Sequence, residues 1–171
     1  YSPALTDFIF MVEGTGQMYI TGPDVIRAVT SEEISHEDLG GSRMHTQLSG
    51  VAHFSFQDEE ITLQKVRQIL EYIPQNNMEE PLVSENVEIQ PSEMLNEIIP
   101  DNPNEPYDML RIINEIIDED SIFQVHENFA QNIIVGFSRI AGQSIGIIAQ
   151  QPEHLAGSLD VDASIKAARF V

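Results

Sequence analysis

Glycine and histidine are concentrated in one stretch of the sequence, LGGSRMHTQLSGVAH, at positions 39–53. Histidines such as His45 and His53 could help to bind a metal ion, and closely spaced glycines allow a backbone to approach a phosphate or an oxyanion. No HExxH pair accompanies the two histidines, and the chain has no cysteine. The pattern therefore favours scattered loop histidines over a metal site. For the glycines it leaves open an oxyanion-binding loop or a helix C-cap followed by a tight turn.

The remaining motifs for catalysis or nucleotide binding are incomplete. Gly14 and Gly16 begin a dinucleotide-binding fingerprint, but Tyr19 stands where the third glycine belongs, and no GxxxxGK phosphate loop occurs. No GxSxG motif occurs either, and Ser49 near His53 is better explained by a glycine-containing turn than by a catalytic pair. The many carboxylates include no pair at a diagnostic spacing. The residues alone therefore select no catalytic group.

The charge and composition of the chain argue against several classes of partner. A net charge of −20, from 28 acidic and 8 basic residues, repels nucleic-acid phosphates, and no basic patch reverses it. No apolar run has the length of a membrane span, and no charged-then-apolar leader opens the chain. The absence of cysteine fits a reducing cytoplasm. We expect both ends to be cut, because the chain starts without methionine and stops in a helix that has barely begun.

The first part of the sequence predicts two short strands and a helical region. The continuous apolar run at 8–12 predicts a strand buried on both faces, and QMYI at 17–20 predicts a second strand. A helical turn can start at Asp24, directly after a Gly-Pro pair. Residues 30–41 carry a weak helix signal, for which the expected ends are an N-cap at Ser31 or Ser35 and a C-terminal glycine at Gly40.

The rest of the sequence predicts further helices and a hairpin. A single apolar stripe predicts a helix at 59–72 that ends before Pro74. Five prolines and little periodicity at 75–106 predict a linker or an irregular segment that contains a lobe boundary. Three elements are expected after it: a helix at 107–118 capped by Asp108, a β-hairpin at 132–150, and a loop with Gly157 leading into a helix near Ala163. Together these elements predict a mixed α/β chain.

Eight segments match, in order, the pattern of one enzyme family. They are YSPALTDF (1–8), ITGPDV (20–25), LGGSRMHTQLSGVAH (39–53), YIPQNN (72–77), PYDM (106–109), NIIVGF (132–137), QQP (150–152) and LDVDASIKAARF (159–170). Together they closely resemble the biotin-dependent acyl-CoA carboxyltransferases, in particular the propionyl-CoA carboxylase β-subunit type. The α-subunits of sodium-pumping methylmalonyl-CoA and glutaconyl-CoA decarboxylases share much of the pattern. The similarity is weakest at 79–104.

The resemblance implies an α/β fold of the crotonase-like (ClpP/crotonase) class, a ββα superhelix that the family carries in two lobes. It places residues 1–97 in the C-terminal part of the N-terminal lobe and residues 106–171 in the N-terminal part of the C-terminal lobe. A linker at 98–105 would join them. The chain is then expected to be a fragment that spans the end of one lobe and the start of the next.

The resemblance also implies a reaction, the transfer of CO2 between carboxybiotin and the α-carbon of a short acyl-CoA such as propionyl-CoA or acetyl-CoA. Paired backbone N–H groups would stabilise the enolate and the biotin oxyanion. The biotin nitrogen left after loss of CO2 can accept the α-proton, so the protein need not supply a general base. In the family both oxyanion holes lie outside the positions that match Tyr1 and Val171. No catalytic residue is therefore expected in this chain, and the chain alone is expected to be inactive.

Two sets of residues are implied to line the substrate sites. The acyl-CoA pocket would be shaped by Gly40, Gly41, His45 and Gly50, with His53 in a structural role. The approach to carboxybiotin would be lined by Gln151, Pro152 and Gly157. The resemblance implies no metal ligand.

The implied cofactor is biotin on a separate carrier, not attached covalently to this chain. The implied partners are an acyl-CoA substrate, the biotin carboxyl carrier, the biotin carboxylase subunit, and further copies of the parent protein in a hexamer in the cytoplasm. Two alternatives stay open. One is a decarboxylase α-subunit, which would work with a membrane partner. The other is a noncatalytic oligomerising module with an acidic surface.

Overall fold

The computed structural model describes residues 2–81, 83, 92, 94–102 and 104–171. The chain forms two compact units, Tyr1–Val66 and Arg67–Val171. The first unit contains a two-stranded sheet and the second a three-stranded sheet. Of the helices in the described ranges, none has the length and the apolar character needed to cross a membrane. The lobe division expected at 98–105 stays a prediction.

A short parallel pair of strands lies in the core of the first unit. Strand β1 (Phe10–Val12) pairs with strand β2 (Phe54–Phe56), and the rings of Phe10 and Phe54 stack with their centroids 4.4 Å apart. The strand predicted at 8–12 is confirmed as β1, because a continuous apolar run suits a strand that is covered on both faces. An apolar cluster of buried side chains accompanies the pair: Ile9, Met11 and Ala52.

Two helices lie between these strands along the chain. Helix α1 spans Pro23–Thr30 and helix α2 spans His36–Gly40. Ser35 caps α2, since its hydroxyl oxygen accepts a hydrogen bond from the Asp38 amide at 3.0 Å. Ser31, the other cap considered from the sequence, instead follows α1 in a left-handed conformation with a φ of 60°.

The strand predicted at 17–20 is wrong. The chain turns sharply at Gly16, whose amide donates to the Val12 carbonyl at 2.8 Å. Beyond this turn, the described residues show a single isolated antiparallel bridge, between Gln17 and Gly41. One bridge does not make a strand, because a strand needs a ladder of hydrogen bonds to a neighbour several residues long.

The helix predicted at 59–72 is confirmed as helix α3 (Glu59–Leu70), which begins in the first unit and ends in the second. Asp58 precedes it, and its carboxylate accepts a hydrogen bond from the Ile61 amide at 2.8 Å. The acidic side chains in the first turn suit the positive end of the helix dipole. Ile69, on the predicted apolar stripe, is buried.

The second unit is built around an antiparallel sheet of three strands in the order β3-β4-β5, which are Phe123–Val125, Ile133–Ile140 and Gln143–Gln150. The hairpin predicted at 132–150 is confirmed as β4–β5. Its turn residues, Ala141 and Gly142, have φ values of 52° and 77°, and positive φ at both central residues is typical of a two-residue hairpin turn. The sequence does not predict β3, since three residues are too few to show an alternating pattern.

Three helices complete the second unit: α4 (Leu95–Ile98), α5 (Met109–Ile116) and α6 (Val161–Phe170). The helices expected at 107–118 and near Ala163 are confirmed as α5 and α6. Asp108 caps α5 as predicted, because its carboxylate accepts a hydrogen bond from the Leu110 amide at 2.9 Å. Helix α4 lies inside the segment expected to be a linker or irregular. In that segment, positions 82, 84–91, 93 and 103 lie outside the described residues.

Gly136 lies opposite Gln124 in the ladder between β4 and β3. A Cβ atom there would lie 2.6 Å from the Phe123 carbonyl oxygen and 3.0 Å from the Gln124 Cα, and these backbone atoms are fixed by the ladder. We expect Gly136→Ala to lower the free energy of unfolding by about 2–3 kcal/mol, measured by urea denaturation. The control is Gly146→Ala on β5, whose Cβ would meet the movable ring of Phe170 at 3.3 Å. Equal destabilisation by the two variants would contradict this expectation.

Candidate functional site

The four residues predicted to shape an acyl-CoA pocket lie in one segment of the first unit. Gly40 ends α2 and Gly41 follows it. His45 lies in a single π-helical turn, Met44–Leu48, which the sequence does not predict. Gly50 follows this turn with a φ of 61°, a conformation in which glycine is the least strained residue. Single π-helical turns are rare and often lie at functional sites.

Close contacts require glycine at the first of the two adjacent glycines. A Cβ atom at Gly40 would overlap the Met18 backbone carbonyl oxygen, whereas one at Gly41 would meet the movable end of the Glu37 side chain. Gly40 ends the helix as the sequence predicts, but the reason differs from the usual one. The φ of Gly41 is −73°, which any residue adopts. At Gly40, glycine is therefore needed for space rather than for a left-handed backbone.

The ring of His45 is held at both nitrogens. Nε2 lies 2.5 Å from the Met18 carbonyl oxygen, and Nδ1 lies 3.1 Å from the Ser49 hydroxyl. Because a carbonyl only accepts, Nε2–H donates to Met18, and in the neutral ring Nδ1 accepts from the hydroxyl. The His45 carbonyl also accepts from the Ala52 amide at 3.0 Å. His45 thus ties the glycine-rich segment to the chain at Met18, and both nitrogens are engaged within the protein.

His53 is buried beside the parallel strands. Its Nδ1 accepts a hydrogen bond from the Ile9 amide at 3.1 Å, and its own amide donates to the Ile9 carbonyl at 3.0 Å. The ring also packs edge-on against Phe8, with centroids 5.6 Å apart. These contacts hold the chain before β1 against the chain before β2, which is the kind of structural role expected from the sequence.

The three residues predicted to line the carboxybiotin approach lie close together after β5, in the second unit. The Gln151 side chain is buried: its Nε2 donates to the Asp108 carboxylate at 2.7 Å, and its Oε1 accepts from the Met109 amide at 2.9 Å. Gln151 therefore holds the start of α5. Gly157 packs on Pro152, since a Cβ at Gly157 would lie 3.7 Å from the Pro152 Cα.

The backbone of this loop is left-handed over three successive residues. Leu155, Ala156 and Gly157 have φ values of 50°, 52° and 69°. For residues other than glycine, this conformation costs about 1–2 kcal/mol each. Such backbone conformations persist where the surrounding structure imposes them. The loop from Gln151 to Ser158 therefore depends on contacts made by other parts of the chain.

A small polar cavity of about 120 Å³ adjoins this loop, and its polar lining consists of Gln124, Glu127, Gln131, Gln151, His154 and Lys166. Lys166 is only 3% exposed, and its Nζ donates to the Phe129 and Ala130 carbonyls at 2.7 and 3.2 Å. Burial lowers the pKa of Lys166 from 10.5 to about 8, although the nearby Glu127 carboxylate opposes this shift. The sequence gives no sign of this buried lysine.

Two further residues hold the same loop and are absent from the sequence-based prediction. The Asn132 Nδ2 donates to the Ser158 carbonyl at 2.7 Å and to the Asp160 carboxylate at 3.3 Å. Asp160 caps α6 by accepting from the Ala163 amide at 2.9 Å, and this hydrogen bond lowers the pKa of the exposed Asp160 carboxyl. An acidic residue before an apolar run is a recognisable cap signal. For Asn132 no local signal exists, because its partners are distant in sequence.

Outside these two loops, the described residues form a further cleft that is a possible binding site, and they give metal binding no support. Over the residues that the structure describes, no group of three histidine or acidic side chains is placed to hold a metal ion. The first unit also has an open cleft of about 410 Å³, lined by residues of α1 and of the chain at the start of α2, including Arg27 and His36. None of the four predicted pocket residues lines that cleft.

Comparison with known proteins places these features in one family. The carboxyl transferase domain matches residues 1–171. The propionyl-CoA carboxylase carboxyltransferase subunit of Haloferax mediterranei is 51% identical, over 100% of this chain and 34% of that protein. The methylmalonyl-CoA decarboxylase subunit alpha of Veillonella parvula is 49% identical over the same shares. A biotin-dependent acetyl-/propionyl-coenzyme A carboxylase beta5 subunit of Mycobacterium tuberculosis is 47% identical, over 100% of this chain and 33% of that protein.

A solved structure shows the fold. The transcarboxylase 12S hexamer, with hydrolysed methylmalonyl-coenzyme A bound, has a TM-score of 0.95 and 39% identity, over 99% of this chain and 34% of that chain. This likeness confirms the predicted crotonase-like α/β fold. The chain spans about a third of the length of the relatives it matches. The share is 34% for the proteins of Haloferax mediterranei and Veillonella parvula. Because the family matches the whole of the sequence, the chain belongs to the carboxyl transferase domain family.

Proposed function

We propose that the chain is part of a carboxyltransferase subunit that moves CO2 between carboxybiotin and the α-carbon of a short acyl-CoA, either propionyl-CoA or acetyl-CoA. The observation that carries the proposal is the match to transcarboxylase 12S, a protein solved with hydrolysed methylmalonyl-coenzyme A bound. That match extends over 99% of this chain at 39% identity. The named function of the relatives at 51% and 47% identity points to the same substrate class.

The chain would contribute to two lobes of the parent protein. We assign residues 1–97 to the N-terminal lobe, residues 106–171 to the C-terminal lobe, and 98–105 to the linker between them. The chain spans 34% of the length of the Haloferax mediterranei relative. It is therefore not expected to transfer CO2 alone. The groups that stabilise the enolate and the biotin oxyanion would come from other parts of the parent protein.

On the acyl-CoA side, the chain would act through its backbone rather than through a reactive side chain. Gly40 has no room for a Cβ against the Met18 backbone, so this segment lies directly against Met18, and the Glu37 carboxylate covers Gly41. His45 fixes the same segment through the Met18 carbonyl. We propose that these residues and Gly50 form a rigid wall of the acyl-CoA pocket, which would exclude water and orient the thioester.

On the carboxybiotin side, the chain would supply a shaped approach for the ring. The missing Cβ of Gly157 leaves space against Pro152, and Gln151 is locked by Asp108, so the loop offers a fixed edge. These features fit the entry of a biotin ring carried by a separate protein. When bound, carboxybiotin supplies the CO2 and, after its loss, a basic nitrogen for the α-proton. The residues of this chain would orient that ring and keep bulk water away from it.

The partners of the parent protein would follow from this reaction. They are a biotin carboxyl carrier, a biotin carboxylase subunit, and further copies of the parent protein in a hexamer, as named for transcarboxylase 12S. The relative from Veillonella parvula at 49% identity supports a second candidate, the α-subunit of a decarboxylase with a membrane partner. Purification of the parent protein from its own cells separates the two. Biotin carboxylase in the complex favours the first, and a membrane subunit favours the second.

The acyl-CoA assignment is tested by Gly40→Val in the full-length parent protein. The valine Cβ would overlap the backbone carbonyl of Met18, so the segment that carries Gly41 and His45 would have to shift. We expect the KM for acyl-CoA to rise about tenfold or more, with little change in the KM for free biotin, in a steady-state carboxyl-transfer assay.

The matched control is Gly22→Val, since a Cβ at Gly22 would lie at an ordinary distance of 3.6 Å from the Tyr19 ring. This control is expected to keep the acyl-CoA kinetics of the unmodified enzyme. If Gly40→Val folds and also keeps them, the segment is not part of the acyl-CoA pocket.

A further inference from the structure

Asn132 lies at the centre of a buried hydrogen-bond network in the second unit. The residue is 3% exposed, so its polar atoms need partners inside the protein. Its backbone carbonyl accepts from the Gln151 amide at 2.9 Å, and its side-chain Nδ2 donates to the Ser158 carbonyl at 2.7 Å. Asn132 therefore touches the first and the last residue of the loop from Gln151 to Ser158, here called the 151–158 loop.

The same network continues into α6. The Asn132 Nδ2 also donates to the Asp160 carboxylate at 3.3 Å, and Asp160 caps α6. From inside α6, the Lys166 Nζ reaches back to the Phe129 and Ala130 carbonyls, just before Asn132. Hydrogen bonds therefore join the segment before β4 to α6 at two points. Along the chain, the 151–158 loop lies within the stretch that both connections enclose.

The loop needs such a restraint because its own backbone is unfavourable. Leu155 and Ala156 hold φ values of 50° and 52°, which cost free energy in any residue with a Cβ. Within the loop, the His154 amide donates to the Gln151 carbonyl and the Gly157 amide donates to the His154 carbonyl, at 3.1 and 2.9 Å. These local hydrogen bonds shape the turn. The Asn132 backbone carbonyl holds the first residue of the loop, and the Asn132 side chain holds the last.

We propose that Asn132 is a positioning residue for the carboxybiotin reaction: its side chain fixes the Ser158 end of the 151–158 loop, and its backbone carbonyl holds the Gln151 end. The inference rests on the proposed function, because the loop carries Gln151, Pro152 and Gly157. Asn132 is buried and acts through the loop. Its replacement is therefore expected to change the binding of biotin. Acyl-CoA binding, assigned to the first unit, does not depend on it.

The test uses Asn132→Ala in the full-length parent protein, with free biotin as the acceptor in place of the carrier. We expect the KM for free biotin to rise about tenfold and the KM for acyl-CoA to stay within about twofold of the unmodified enzyme. The matched control is Asn114→Ala, since Asn114 is exposed on α5. Should the alanine variant not fold, Asn132→Asp keeps the shape of the side chain, removes the donor and is expected to give the same split.

A second measurement separates this inference from the proposed function. Hydrogen exchange of the Gly157 and Ser158 amides is expected to become about tenfold faster in Asn132→Ala than in Asn114→Ala, whether or not the enzyme turns over. An unmodified enzyme without biotin-dependent activity overturns the proposed function. Unchanged exchange in these amides, or equal rises in both KM values, overturns the positioning role of Asn132.

Discussion

Raising the KCl concentration from about 0.1 M to about 2 M is expected to stabilise the folded chain by roughly 5 kcal/mol. The chain has a net charge of −20, and its like charges are closer together when it is folded than when it is unfolded. Salt reduces the Debye length from about 10 Å to below about 3 Å over this range, which weakens that repulsion. The measurement is the urea midpoint of the isolated chain at each KCl concentration.

The placement of the acids explains the size of the expected effect. Each acidic residue that the structure describes is exposed or partly exposed, and none is buried. Ion pairs between described residues include Arg27 with Asp24 at 3.0 Å and Arg139 with Glu71 at 3.9 Å. The exposed carboxylates repel one another mainly through water, where dissolved salt screens their charges.

A matched variant separates charge screening from other effects of salt. It replaces six exposed carboxylates by their amides, at Glu32, Glu33, Glu79, Glu80, Glu119 and Asp120. Because six negative charges are removed from −20, its net charge is about −14, and its gain in stability with KCl is expected to be clearly smaller. An unmodified chain whose urea midpoint stays constant or falls as KCl rises would refute the argument.

Between pH 8 and pH 10.5 the unmodified chain is expected to gain about 3 kcal/mol of stability through Lys166. Burial lowers the pKa of Lys166 from 10.5 to about 8, so in this interval the unfolded chain binds a proton that the folded chain has released. Stability therefore rises with pH through this interval. Below pH 8 both states are protonated and the cost of burying the charge is present in full. Urea unfolding across the interval measures the effect.

Lys166→Met should lack this rise, and Lys65→Met, at the other lysine of the chain, should keep it. The titratable neighbours in the cavity are Glu127 and His154. The Glu127 charge is already included in the pKa of Lys166, because it favours the protonated amine. Burial raises the pKa of Tyr72 above 10. The unfolded chain therefore releases this proton first, which lowers the free energy of unfolding only at the upper end of the pH range. Parallel pH profiles for the unmodified chain and Lys166→Met would rule out the buried lysine as the cause.

The parts of the fold that local rules decide are the parts the sequence predicts. Helices α3, α5 and α6 have an apolar stripe or a capping residue, and the β4–β5 hairpin has a turn at Ala141 and Gly142. The prediction at 17–20 fails because a strand depends on a partner, and Gln17 makes one bridge. The π-helical turn at Met44–Leu48 is missed because nothing local marks an extra residue in a helical turn.

The candidate site divides in the same way. The glycine pair at Gly40 and Gly41 attracts attention in the sequence by its residue type, and the resemblance assigns it to the acyl-CoA pocket. Asn132 and Lys166 look like ordinary polar residues in the sequence. Their importance comes from partners 26 or more positions away, the Ser158 and Phe129 carbonyls. Such pairings are set by tertiary structure, so no pattern within a short window predicts them.

The parallel pairing of β1 with β2 has a consequence for the order of folding. These strands join across residues 13–53, so their ladder closes a long loop before any of its hydrogen bonds forms. Gly40, Gly41, His45 and Gly50 all lie within that loop. The β4–β5 hairpin closes across two residues, and contacts between neighbours in sequence form faster than distant ones. During refolding, the glycine-rich segment should therefore acquire its native form after the hairpin, and stopped-flow experiments should resolve its formation as the slower event.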